Sequence, residues 1–206
     1  TDVSQDRSLG SLEDLTTGTN GPIKLVAEDG TISIEGGADT AGVSAAGTGD
    51  VLLEARGAAS DVVVNADVTS LTGHITLAAA DDVDVNDVLT TGGDGTVYLV
   101  AGDNETTGLN GIELDAQVTT VNGDVLLQSA DDITQNALIT TTNGDVGLWA
   151  TDAITQTATG DITTTDGDVL VDAGGDWTMD ADATITAGGS DVLGTSGGTL
   201  TLGVIS

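Results

Sequence analysis

Gly123-Asp124-Val125-Leu126-Leu127-Gln128-Ser129-Ala130-Asp131-Asp132-Ile133-Thr134-Gln135-Asn136-Ala137-Leu138-Ile139-Thr140-Thr141 contains three short apolar stretches. After Thr142 and Asn143 the phrase starts again as Gly144-Asp145-Val146. Each stretch alternates aliphatic or β-branched residues with polar ones, the period of a strand with one buried face. Glycine, Asp-Asp and Asn-Gly pairs stand between the stretches, so the chain turns at each boundary.

The opening phrase recurs with its first aliphatic residue at positions 23, 51, 75, 97, 125, 146, 169 and 192, so successive copies are 28, 24, 22, 28, 21, 23 and 23 residues apart. A repeat of this length signals a solenoid. Three strands per repeat predict an all-β parallel β-helix of about eight coils with a period near 22 residues. At the spacing of paired strands, about 4.8 Å, the rod is roughly 38 Å long. A β-sandwich would need longer strands and tight hairpins, and a leucine-rich horseshoe a longer leucine phrase with an Asn. Alternation places Val51, Leu53, Ala55, Val125, Leu127, Val146, Leu148, Ala150, Val169, Val171 and Ala173 inside. Gln135 and Gln156 share that parity and predict a buried amide ladder; Trp177 and Met179 follow them, filling a wider interior or beginning its closure. The two 28-residue repeats predict loops over 36–48 and 102–111. Residues 1–20 fit the phrase poorly and read as a lead-in, cap or linker; 21–206 read as one solenoid.

The 206 residues carry 34 acidic against 3 basic side chains, a formal charge of -31, and their only aromatic residues are Tyr98, Trp149 and Trp177. Nothing here could neutralise a run of phosphates, so nucleic acid is excluded as a partner. Membrane insertion is excluded too, because no apolar run approaches a spanning length. There is no cysteine, and hence neither disulfide nor thiolate metal site. Spread along the rod the charge is about 0.8 per Å, above the roughly 0.6 of duplex DNA, so a counterion atmosphere is expected.

The Gly-Asp-Val-x-Leu-x-Ala phrase followed by Ile-Thr-x-x-Ala-x-Ile-Thr-Thr resembles repeats of filamentous-haemagglutinin-like bacterial surface proteins, best over 123–187 and loosely over 21–205. The resemblance implies a right-handed parallel β-helix, export to the cell surface or exterior, and a role in adhesion or fibre building. It carries over no binding residue, although a cell-surface or glycan ligand is compatible with it.

Candidate sites follow from the carboxylates. Asp124, Asp145 and Asp168 fall on one ladder, with Asp50 further along it. Asp131, Asp132 and Asp152 fall on the next corner, as do Asp81 and Asp82. Oxygen-only clusters suit Ca²⁺; alternatively each Asp caps its own turn. No cofactor is required on either reading. Carboxylates about 4.8 Å apart repel by roughly 0.9 kcal/mol in water, which a solvated stack tolerates. Thr90, Thr119, Thr140 and Thr163 belong to Thr-Thr pairs of which one member faces outward, a pattern compatible with an ice-binding solenoid or with ordinary strand propensity. A polysaccharide-active enzyme is the other alternative. Against catalysis, the basic residues Arg7, Lys24 and Arg56 lie outside the regular coils, and His74 stands at a turn where other coils place Asp. Trp149 has outward parity and could meet a sugar or another rod.

The chain begins without Met, as expected of a processed or excised polypeptide. Its last strands place Leu200, Leu202, Val204 and Ile205 at an uncapped end. An open solenoid edge templates pairing, with another copy or with more of the same solenoid. The expectation is therefore an acidic structural segment or subunit of an extracellular prokaryotic fibre or adhesin.

Overall fold

The computed structural model describes residues 14–37, 40–102 and 111–206. Among them there is no helix, and all 25 strands pair in parallel within three sheets. The first sheet stacks eight strands that open with the repeated phrase, from Ile23–Ala27 to Val192–Ser196. The second stacks eight from Ile32–Glu35 to Leu200–Thr201, and the third nine from Leu15–Thr16 to Val204–Ile205. Successive members of each sheet lie one coil apart: Val125 pairs with Val146, Ile133 with Ile154 and Ile139 with Ile162. The chain is a β-solenoid with a period near 23 residues, and the expected fold class is borne out.

The interior follows the alternation. Every position assigned inward from the sequence is buried, and Leu53, Leu127, Val171, Ile133 and Ile139 are sealed completely. Sealing a Val, Leu or Ile contributes about 1.5–3 kcal/mol, an upper bound when the unfolded chain is itself compact. The Thr-Thr pairs divide as expected. Thr90, Thr119, Thr140 and Thr163 form one outward ladder in register with Ser44, Thr69 and Thr186. Their successors Thr91, Thr120, Thr141 and Thr164 are buried at the corner, where Thr120 Oγ1 donates to the Gly123 carbonyl (2.5 Å) and Thr91 Oγ1 to that of Gly73 (2.6 Å).

That corner explains the glycine two places before the first aliphatic residue in seven of the eight phrases; Ser190 stands there in the last. A Cβ placed on Gly49, Gly73, Gly95, Gly123, Gly144 or Gly167 would stand 1.8–2.4 Å from the carbonyl oxygen of the glycine one coil earlier. These six corners stack backbone on backbone, with no room for a side chain.

Three details differ from the sequence reading. The loop expected over 36–48 is shorter, because Ala41–Ala45 form the third strand of that coil, with a register shift between Ala41 and Val43. At Gly42 a Cβ would press to 2.6 Å from Ile34 and 2.9 Å from Ala66, so the small residue admits the irregular turn. Of the loop expected over 102–111, Gly111 instead opens the strand Gly111–Leu114, and 103–110 lie outside the described residues. Lys24 and Arg56 belong to the stack after all: Lys24 sits in the strand Ile23–Ala27, and Arg56 directly follows Val51–Ala55. Arg56 clamps Glu54 and Glu28 (both 2.8 Å) across two coils. Arg7 lies outside the described residues.

Candidate functional site

Five of the eight phrases place an Asp immediately before the strand, Asp50, Asp124, Asp145, Asp168 and Asp191, where the next coil's backbone N–H needs an acceptor. The carboxylate supplies one. Asp124 Oδ1 accepts from the N–H of Asp145 (2.9 Å), Asp145 Oδ1 from Asp168 (2.8 Å) and Asp168 Oδ1 from Asp191 (2.9 Å). Asp50 does the same for His74, and His74 continues the column by accepting from the N–H of Thr96 through Nδ1 (3.1 Å). The expectation that each Asp caps its own turn is thus corrected: it caps the turn one coil on. Parallel stacking directs the side chain along the rod axis, and a bond from an ionised acceptor outweighs the repulsion between rungs.

The second corner gathers its acids more closely. Asp131, Asp132 and Asp152 offer carboxylate oxygens that all lie within 4.8 Å of one another, as do Asp61, Asp81 and Asp82. Asp124, Asp145 and Asp168 form no such trio and remain successive rungs. Asp132 also braces the next coil, accepting from the Ala153 N–H (2.7 Å), and Asp82 accepts from Gly111 (2.8 Å). Burial raises the Asp82 carboxyl above its ordinary pKa; the charges of Asp81, Asp61 and Asp131 add to this, while the Gly111 N–H opposes it. These oxygen-only trios are the groups able to hold a hard divalent cation.

Beside them lies a pair that sequence reasoning did not single out. Asp84 and Glu113 are register partners on the outer face of the second sheet. With Asp82, Asp132 and Thr134 they line a small cleft of about 70 Å³. Half-buried Asp84 is pushed up to about 6, by desolvation first and then by the charges of Asp82, Glu113, Asp61 and Asp115. The signal was present: Val83-Asp84-Val85 and Ile112-Glu113-Leu114 put a carboxylate at the same outward position of successive coils. The repeat pattern aligns these two strands, but the cleft and the half-burial of Asp84 arise from packing across coils, which the pattern does not describe.

The outer face of the first sheet carries a different feature. In the ladder Leu126, Gly147, Leu170, Leu193, the glycine leaves a gap. Trp149 fills it: a Cβ on Gly147 would lie 2.2 Å from Cη2 and 2.4 Å from Cζ3 of the indole. The ring therefore folds back over Gly147, in a groove of about 450 Å³ edged by Asp124, Asp145, Asp168 and Asp191.

Inside, Trp177 Nε1 donates to Gln156 Oε1 (3.0 Å), and Gln156 Nε2 donates to Gln135 Oε1 (3.0 Å). Gln135 Nε2 ends the chain on the carbonyls of Ala137 (3.0 Å) and Asp161 (2.9 Å). The expected amide ladder exists and extends to the indole. Gly194, one coil on, gives the ring its room, since a Cβ there would sit 2.0 Å from Trp177 Cζ3.

At the end of the stack, Leu200 pairs with Trp177 and Ile205 with Ile185, both of which are buried. Leu200, Leu202, Val204 and Ile205 themselves stay 42–49% exposed. The chain matches no protein-family model, no curated protein and no solved structure.

Proposed function

We propose that this chain is a stiff acidic spacer in an extracellular prokaryotic fibre or adhesin, extended by further coils at its end. Those coils come from the same polypeptide or from a second copy. One observation carries the reading: the three-sheet stack ends in apolar side chains, and the partners of Leu200 and Ile205 one coil earlier are covered. Another coil would bury Leu200 and Ile205 and pair the open strand edges, while the charged flanks keep rods from associating sideways. Divalent cations, Ca²⁺ in particular, populate the acidic corners, and no organic cofactor is needed.

Electron microscopy of the native assembly tests the proposal; the expected image is a filament or a long unbranched rod. Sedimentation of the isolated chain, at high concentration in salt and calcium, separates the two versions. End-to-end oligomers that vanish in the Leu200→Asp, Ile205→Asp double variant support a second copy, and a persistent monomer removes that version. Compact particles in the native assembly remove both.

A second reading rests on Asp84 and Glu113. A carboxyl that keeps its proton toward pH 6 beside a second carboxyl is the combination glycoside hydrolysis uses. Release of reducing ends from neutral polysaccharides, lost in Asp84→Asn, supports it. No turnover across a panel of neutral glycans removes it.

A further inference from the structure

We propose that the groove over Trp149 binds a linear aliphatic polyamine, an extended chain of primary and secondary ammonium groups joined by short methylene segments. The inference does not depend on the spacer role. Its floor is apolar. The indole of Trp149 lies over Gly147, with Leu126 and Leu170 in register on either side. Its wall is a straight row of four carboxylates, Asp124 to Asp191, one per coil at about 4.8 Å. Three of them already spend Oδ1 on the backbone N–H of the next coil, which fixes the orientation of each carboxylate before any ligand arrives. No Lys, Arg or His lines the groove, so the cation that would balance this wall has to come from outside.

Charge complementarity selects the occupant. A second copy of a chain at -31 is repelled from this wall, as is any anion. A single small cation balances one rung but leaves the apolar floor unused. A linear polyamine does both: three or four methylenes between nitrogens give four or five bonds, roughly 5–6 Å when extended, close to the rise of one coil. Its ammonium groups then meet successive carboxylates, its methylenes cover Leu126 and Leu170, and one nitrogen rests against the face of Trp149. A neutral saccharide could lay a C–H face on the indole and donate hydroxyls to the carboxylates, but it would leave their charge unbalanced.

Spermine titrated into the full chain at physiological salt provides the test, read by calorimetry and by the fluorescence of the partly exposed Trp149. Asp145→Asn with Asp168→Asn removes two charges while each Asn oxygen still accepts the brace from the next coil. This variant should weaken spermine binding by about tenfold, and Trp149→Ala by about threefold. The equal-charge control Asp180→Asn with Asp182→Asn, at exposed positions between the second and third sheets, should change it less than about twofold. Equal losses in the two double variants would mean diffuse counterion binding and overturn the proposal. So would the absence of binding, or a neutral oligosaccharide that perturbs Trp149 at lower concentration than spermine does.

Discussion

A single hydrogen atom decides whether the coils can stack. At Gly167 the hydrogen that replaces a side chain faces the carbonyl oxygen of Gly144, and a Cβ would approach it to 1.8 Å. Gly167→Ala therefore has to push two coils apart at one corner and should cost about 1–3 kcal/mol, an overpacking penalty. Gly18→Ala, where nothing lies within 4 Å, should stay within about 0.5 kcal/mol of the parent. Urea melts of the two variants check the difference. The repeated glycine was plain in the sequence, but only as a turn signal. Its function depends on an atom about two dozen residues away, which no local reading of turn propensity contains. The Asp after it was legible as a cap for the same reason, and its target was misjudged by one coil.

Between neighbouring strands, two polar arrangements set local energetics. The buried relay from Trp177 through Gln156 to Gln135 crosses three coils of the second sheet. Gln156→Leu keeps the volume but strands the Trp177 Nε1–H and Gln135 Oε1 in the core. At about 1–3 kcal/mol for each unsatisfied group, the loss should be at least about 2 kcal/mol by chemical denaturation. Parity alone placed the two glutamines together; the indole's part stayed hidden because the space it needs is provided by Gly194 in another strand.

On the outer face of the same sheet, Asp84 behaves oppositely. Its carboxyl is raised from 3.8 to about 6, so the folded protein binds that proton more tightly than the unfolded chain does. Between those values stability rises as the pH falls, a direction shared by Asp82 and Asp67, which are also raised. Melting temperature should accordingly climb on acidification from neutrality to about pH 4.5. Asp84→Asn should flatten much of that climb and add about 1 kcal/mol at neutral pH, a figure reduced for partial solvent screening.

For the molecule as a whole, the sequence disclosed the architecture because its repeat is written in three places per coil, each with the same parity. What it did not disclose are the features assembled across unequal coils: the Asp84–Glu113 cleft, the Trp149 groove and the strand at Ala41–Ala45. Those depend on register, and register is set where insertions fall. Charge operates at this scale as well. Among the described residues only Arg56 makes ion pairs, so screening of the carboxylates is expected to fall to mobile ions. Lowering the salt and chelating divalent cations should each depress the melting temperature; a melt unmoved by both would remove cations from the account of stability.

The glycine column has one more implication. Since six successive corners, Gly49 to Gly167, meet their neighbours through the same backbone contact, no coil among them is privileged by its position in the row. Excising the 21 residues from Val125 through Asp145 would bring Val146 onto Val97. The join lets glycine meet glycine as before, and the cost falls on the interior, where Gln156 loses its Gln135 partner. Such a molecule can evolve in length by whole courses, like brickwork, with its girth and its seam untouched.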